Sequence, residues 1–419
     1  MSNNKQHPLY SKVHSKKRLL SAWSIVRESG INSKSAETKK LVDKFSLEYE
    51  KHIENIYRQL LYKKFSFTPA HGVLQNRPRK DPRPLVISSL ADRIVRRSIL
   101  DVLQEQEAIK PFYESTSSFG GIKKRGVRQA IEAALIAIRD GASFYLRSDI
   151  QTFFMKLPRP KVLAILHNAL PDPIFNQLLS DATTTELINL SKLGRRKHLF
   201  PTYTIGVAQG CCLSPLLGNV LLNDFDKQMN SRGITCLRYI DDFIILGKSQ
   251  NSVSKAFTNA RLLLAEHGLH AYIPATNSFK AAFGKVQDGF EFLGCQIIPG
   301  LIRPDEKARQ RLLSKIEDIL KESYTAMSSP EETVKEKKSF IQSLMDIHNT
   351  IKGWGNQYSF CNDQQMMENL DIKIYEIVGR YIHGYSERVK RLDYKNRRRI
   401  FGVHCLTDSK HRPLLPLKS

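Results

Sequence analysis

The sequence predicts a mixed α/β (α+β) fold, and three observations predict it. Short runs of strand-forming residues at 143–150, 235–240 and 243–246 are separated by longer stretches with helical apolar spacing. Carboxylates stand where those runs end: Asp149 near the end of the first, Asp241 and Asp242 between the other two. From Pro304 onward the pattern turns helical, with Leu312, Leu313, Ile316, Ile319 and Leu320 on one stripe.

Taken in order, residues 1–74 are polar and basic with helical stretches at 19–28 and 39–63. Residues 75–83 are dense in Arg, Lys and Pro and predict a loop, followed by a short strand at 84–88. Helices are expected at 91–107, where Ile94, Val95, Ile99, Val102 and Leu103 share a side, and at 129–139, where Asp140-Gly141 supplies the stop. Residues 158–200 read as mostly helical and end in the basic run 192–197. A helix near 252–267 and strands around 290–298 complete the middle of the chain. The expected division is a helical extension at 1–74, a central α/β region at 75–300, and a helical, basic region at 301–419.

The 419 residues are 41% hydrophobic and 25% charged, an ordinary balance for a globular chain. The net charge of +24 is not ordinary; it favours a polyanionic partner, above all nucleic acid. No apolar run approaches 18 residues and no signal-peptide pattern is seen, so no membrane partner is expected. Six cysteines with no Cys-x-x-Cys pair give little support to zinc and predict a reduced, cytoplasmic protein.

Tyr239-Ile240-Asp241-Asp242 reads as the tip of a β-hairpin. Tight hairpin turns favour Asn-Gly or Asp-Gly, and two adjacent carboxylates repel each other. An isolated pair of this kind is most simply a solvated acidic turn. A hard divalent cation would remove the repulsion, because such ions prefer carboxylate oxygens. Asp149 lies 92 positions earlier at a strand end, and a mixed sheet can bring it beside the pair.

The motifs also occur in an order that resembles reverse transcriptases. They are Arg83-Pro84-Leu85, Asp149 followed by Phe153-Phe154, Gln209-Gly210 leading to Ser214-Pro215, Tyr239 through Asp242, and Phe292-Leu293-Gly294. The resemblance covers roughly 75–300 and, more thinly, the flanks. Ser21 through Arg27, Asp92 through Val95, Ser118 through Gly121 and Ile351 through Tyr358 are similar to segments of group II intron-type bacterial enzymes.

It implies a right-hand polymerase with fingers, palm and helical thumb, and RNA-directed DNA synthesis with two Mg²⁺ ions, Mn²⁺ being the alternative. By position, Asp149, Asp241 and Asp242 match the catalytic metal ligands, with the Ile150 carbonyl as a further ligand. Arg83 and Lys280 match contacts to the triphosphate and its leaving group, with Arg77, Arg79 or Lys80 as candidate helpers. Phe154 matches the gate against a ribose 2′-hydroxyl, and Gln209 and Gly210 the loop beneath the incoming nucleotide. Tyr239 matches the residue under the primer end, and Phe292, Leu293 and Gly294 the primer grip.

The chain departs from intron enzymes at Ile240, at Ala208 and at Cys211-Cys212, and no His/Cys-rich endonuclease segment follows residue 358. These departures make it more similar to antiphage-defence and unknown-group enzymes, with retron or intron-derived enzymes as alternatives. The resemblance implies a noncoding RNA partner, dNTP substrates and a DNA product. Residues 123–128, 192–197 and 388–399, with the loop 77–83, are candidate phosphate contacts. An RNA polymerase or terminal transferase is the rival enzyme, and an RNA-binding module on a retired polymerase fold the non-enzymatic rival. Template, priming mode and oligomeric state stay open.

Overall fold

The computed structural model of the chain describes residues 7–33, 35–77, 80–230, 233–277 and 279–408. Arg79 lies outside them. Packing divides the chain into two compact units, 1–285 and 286–419.

In the first unit, four N-terminal helices (Pro8–Val13, Lys16–Ile31, Ala36–Leu47 and Tyr49–Leu61) do not stand apart as an extension. Leu19, Ala22, Trp23 and Val26 are buried in the same core as Ile94, Val95 and Ile99 of helix Leu90–Leu103, and as Phe153 and Phe243 beyond it. Buried hydrogen bonds reinforce the joint. Ser98 Oγ donates to the Val13 carbonyl at 2.6 Å. The buried Asp172 carboxylate accepts from the amides of Leu9 and Tyr10 at 3.0 Å while capping helix Pro173–Thr183.

Strands β1 (His71–Arg77) and β2 (Lys80–Ile87) form an antiparallel hairpin, with Gln75 opposite Arg83. The 75–83 segment was expected as a loop. Its charges and prolines suit a ribbon wet on much of its surface, where strand alternation is not marked by apolar residues. The central sheet has four strands in the order β4–β5–β3–β6: β3 is Phe144–Asp149, β4 Thr235–Tyr239, β5 Asp242–Gly247 and β6 Ala282–Lys285. All neighbours are antiparallel. Its β5 residues Phe243, Ile244, Ile245 and Leu246 are fully buried, covered by helices including Val127–Arg139 and Gln250–Ala265.

The region 158–200 is helical only in part: Arg159–Ala169, Pro173–Thr183 and a 3₁₀ turn at Gly194–Leu199. Arg159 is buried because its guanidinium donates to the carbonyls of Thr183, Thr202 and Gly206, which ties down the irregular stretch between.

The second unit opens with a three-stranded antiparallel sheet, β7 (Phe290–Phe292), β8 (Cys295–Ile298) and β9 (Leu301–Pro304). Helices Glu306–Ala326, Phe340–Gln357, Gln364–Val389 and Tyr394–Phe401 follow. Leu312, Ile316 and Leu320 of the expected stripe are buried there with Ile347, Leu370 and Ile374, while Leu313 and Ile319 pack at its edge. Among the described residues no helix is long and apolar enough to cross a membrane.

Candidate active site

Asp149 is the last residue of β3 and pairs in register with Asp242, the first residue of β5. Tyr239, the last residue of β4, also pairs with Asp242, so Ile240 and Asp241 are the two residues of the turn. The hairpin predicted from sequence is therefore present, and the sheet order places both carboxylate-bearing strand ends side by side. The Asp241 carbonyl accepts from the Ile150 amide at 2.9 Å, joining the turn to the residue after Asp149.

Ile240 holds the turn at φ +62°. A β-branched side chain rarely adopts this conformation, and two-residue turns with a left-handed first position favour glycine there. The surroundings enforce it. The Ile240 side chain lies on Gly120 so closely that a Cβ on Gly120 would stand 2.5 Å from Ile240 Cγ1 and 2.7 Å from its amide nitrogen. Gly121 is likewise confined by Pro215, at 2.4 Å from an added Cβ. The glycines at 120 and 121 thus serve close approach to the Ile240-Asp241 turn, a reason that their sequence alone did not give.

Electrostatically the site is short of cations. Burial and the neighbouring Asp149 charge push Asp241 up to about 6. Asp242 is exposed as a residue, but desolvation of its carboxylate by the surrounding protein, with Asp149 and Asp241, pushes it up to about 7. Lys280 forms an ion pair with Asp149. Burial acts against the Lys280 charge, but the hydrogen bond and attraction of Asp149 outweigh it, and its pKa is raised.

All donors of the aspartate cluster are oxygens, which suits a hard divalent cation. Among the described residues no group of three His, Cys, Asp or Glu is placed to hold a metal ion as it stands. The fit therefore rests on the register pairing of Asp149 with Asp242, on Asp241 in the adjoining turn, on the raised pKa of Asp241 and Asp242, and on the Lys280 ammonium beside Asp149.

This predicts a stability signature. A carboxylate whose folded pKa is raised favours folding below its ordinary value, and that contribution is lost as pH rises through 6–7. Asp242→Asn should raise Tm at pH 8 by roughly 2–4 °C, equivalent to ~1 kcal/mol once solvent screening of this exposed residue is allowed for. The gain should shrink toward pH 5 and vanish near pH 4. Thermal melts across that range check it; an equal gain at pH 4 and pH 8 would refute it.

Two of the residues expected on the nucleotide side, Arg83 and Gln209, also come together. Arg83 Nε donates to Gln209 Oε1 at 2.9 Å, and the Val86 amide donates to the Gln209 carbonyl at 3.0 Å. Gly210 sits at φ +104°, where the chain turns toward Ser214 and helix Ser214–Leu221. Ser214 Oγ closes this loop by donating to the Ala208 carbonyl at 2.7 Å. Arg83 is close enough to lower the pKa of Asp241, although burial and Asp149 dominate.

The two phenylalanines after Asp149 have different fates. Phe153 is 2% exposed and packs against Gly218, whereas Phe154 is half-buried. The Phe154 carbonyl accepts from the Val207 amide at 2.7 Å, so Phe154 borders the strand-like approach to Gln209.

Other expected residues are placed less directly. Phe292, Leu293 and Gly294 belong to the second unit, where Leu293 (φ +50°) and Gly294 (φ +81°) turn β7 into β8. The Phe292 ring is buried, so this turn presents backbone and Leu293 rather than an aromatic surface. Much of the basic run 388–399 is engaged internally. Arg388 donates to the Tyr324 carbonyl, Arg398 to the His404 carbonyl, and Arg399 pairs with Asp408. Within 123–128, Arg125 donates to the carbonyls of Ser115 and Ser118, and Arg128 pairs with Glu132. Residues 192–197 are largely exposed.

Sequence reasoning missed Arg238, Asp226 and Asn219, which lie directly behind the turn. Arg238 is 1% exposed and bonds Asp226 through two parallel contacts, Nε to Oδ1 at 2.7 Å and Nη2 to Oδ2 at 2.5 Å. Removing one member of such a buried pair typically costs ~3–5 kcal/mol. The available signal was a charged residue inside the otherwise apolar run Cys236, Leu237.

Such an arrangement, with carboxylates at adjoining strand ends of an antiparallel sheet and a nucleotide-side loop beside them, is that of a polymerase palm. Residues 71–297, more than half the chain, match the family described as reverse transcriptase (RNA-dependent DNA polymerase), and the chain belongs to that family. It is 26% identical over 301 residues to Protein YkfC of Escherichia coli strain K12, covering 60% of this chain and 75% of that protein. It is 26% identical over 208 residues to the retron Ec86 reverse transcriptase of Escherichia coli, covering 49% and 57% respectively. An uncharacterized 91 kDa protein in a cob intron of Schizosaccharomyces pombe is 28% identical over 175 residues, 42% of this chain but only 20% of that protein. The solved structures that it is similar to include a Cas6-RT-Cas1–Cas2 complex (TM-score 0.35, 22% identity, 63% of this chain and 44% of that one) and telomerase from Candida albicans (TM-score 0.42, 12% identity, 82% and 68%).

Proposed function

We propose that this protein is an RNA-directed DNA polymerase acting on a partner noncoding RNA, with Asp149, Asp241 and Asp242 as its catalytic carboxylates. The observation that carries the reading is the register pairing of Asp149 with Asp242 across β3 and β5, with Asp241 in the adjoining turn. Two divalent ions, Mg²⁺ or Mn²⁺, held by these side chains and the Ile150 carbonyl would activate the primer 3′-hydroxyl and stabilise the leaving pyrophosphate.

The chain's own groups supply positioning and charge, which dominate phosphoryl transfer. Arg83, held by Gln209, would contact the triphosphate. Lys280, paired with Asp149, would approach the leaving group with its ammonium. Phe154 borders the position of the sugar, Gly210 lets the loop pass beneath the base, and Tyr239 sits under the primer end. Phe292, Leu293 and Gly294 serve as primer grip through backbone rather than ring. The +24 charge supports RNA as the partner, with contacts through phosphate and shape. The region 301–419 acts as the thumb. In line with the departures at Ile240 and Cys211-Cys212, the biological role is antiphage defence in the cytoplasm.

The test is to purify the protein from its host, add dNTPs and Mg²⁺, and sequence the co-purifying RNA and any new DNA. DNA complementary to one enriched RNA is the expected result. RNA enrichment without any dNTP incorporation would instead support a binding module on a retired polymerase fold.

A further inference from the structure

The side chains behind the catalytic turn have no role in the chemistry above. Arg238 uses Nε and Nη2 for Asp226 and has Nη1 left over. That nitrogen donates to the Ile240 carbonyl at 2.9 Å and to Asn219 Oδ1 at 3.1 Å. Asn219 Nδ2 in turn donates to the Gly120 carbonyl at 3.1 Å, and Ser118 Oγ to Asn219 Oδ1 at 3.3 Å. Backbone bonds tie the same pieces together: the Phe119 amide to the Arg238 carbonyl at 2.9 Å, and the Arg238 amide to the Ser117 carbonyl at 2.8 Å. Segments 117–120, 219–226 and 238–240 are therefore joined in one hydrogen-bond network, and Arg238 carries it to the Ile240 carbonyl. Arg238, Asp226 and Asn219 are all 3% exposed or less.

An ion pair at this depth is a poor choice for stability alone, since a well-packed apolar pair of similar volume often serves as well or better. What an apolar pair lacks is the planar fork of the guanidinium, which binds a carboxylate with two nitrogens and still directs a third donor elsewhere. Here that donor meets the carbonyl of the one residue in the turn with a left-handed backbone. The carbonyl fixes the plane of the peptide between Ile240 and Asp241, and so the origin from which both aspartate side chains project.

We propose that Arg238 is a positioning residue for the Asp241 and Asp242 carboxylates, with Asp226 and Asn219 as the partners that aim it. The proposal rests on the reading of Asp149, Asp241 and Asp242 as the polymerising site.

The decisive variant is the full-length double substitution Arg238→Met with Asp226→Leu, which removes the charges together. Its Tm should stay within a few degrees of wild type and its RNA binding should be unchanged. Amide hydrogen exchange in peptides spanning 239–242 should accelerate, and kcat for dNTP incorporation should fall roughly 10–100-fold with little change in KM, as expected for misplaced catalytic groups. Arg238→Lys keeps the charge opposite Asp226 but not the fork, and should show the same two changes at about tenfold in kcat; it decides the matter if the double variant does not fold. Wild-type kcat, or a lower kcat without faster exchange at the turn, would overturn the proposal. Asp241→Ala with Asp242→Ala is run alongside. If that control still incorporates dNTPs, the active-site reading falls and the proposal with it; if it is silent while Arg238 variants are wild type, only the positioning role falls.

Discussion

Asp241→Ala combined with Asp242→Ala is expected to lower dNTP incorporation by at least ~10³-fold while leaving RNA binding and folding intact, because in the proposed mechanism the pair holds the charge on which the transition state depends. The separation of effects follows from placement. Asp241 occupies the turn and Asp242 is exposed at the strand start, so neither side chain supports the core, whose β5 portion begins with Phe243. Surrounding protein crowds both carboxylates, even though Asp242 as a residue is exposed, and like charge adds to the rise in their pKa, so their removal relieves repulsion. Primer extension with the native RNA, together with a filter-binding isotherm and a thermal melt, measures the three quantities. Incorporation persisting above a hundredth of the wild-type rate would place the chemistry elsewhere. Loss of RNA binding in step with activity would show instead that the turn is a structural part of the RNA site.

Phe154→Ala should open the enzyme to ribonucleotides. Discrimination between two substrates is a ratio of kcat/KM values, and a steric clash against one of them is an effective way to set it. The adjacent Phe153 is locked in the core against Gly218, so it cannot take over. The Phe154 backbone bond to Val207 survives the substitution, which keeps the approach to Gln209 in place. The dNTP over rNTP preference is therefore expected to fall at least ~10-fold, with kcat/KM for dNTPs within a few-fold of wild type. Single-nucleotide extension on an RNA template reads both. An unchanged preference would remove Phe154 from the gate role and with it the main argument against a polymerase that makes RNA.

Asp149, Asp241 and Asp242 were legible because their motifs place carboxylates at strand ends, and strand ends can be read from β-rich runs. Gln209 and Arg83 were legible as separate motifs, but their contact was not, since 126 residues lie between them. The β1–β2 hairpin was missed because a ribbon rich in Arg, Lys and Pro carries no apolar alternation. Strand β6 was missed because four residues, Ala282 to Lys285, are too few to show a period. The Arg238 network was hidden for a different reason. A charge within a strand reads as its wet face, and only the tertiary structure shows that Asp226 and Asn219 meet it inside the protein. Phe292 shows the opposite case: the motif suggests a ring offered to the primer, while packing buries it.

The shared core of the N-terminal helices and the palm has a consequence for how such a chain can change over time. Leu19, Trp23 and Val26 belong to the same apolar interior as Phe243 and Ile245 of β5, and Asp172, 162 residues beyond Tyr10, fastens the first helix. The opening 60 residues cannot be exchanged as a cassette in the way a tethered domain can. Substitutions can accumulate on the outward faces of these helices, but their inward faces inherit the constraints of the polymerase itself.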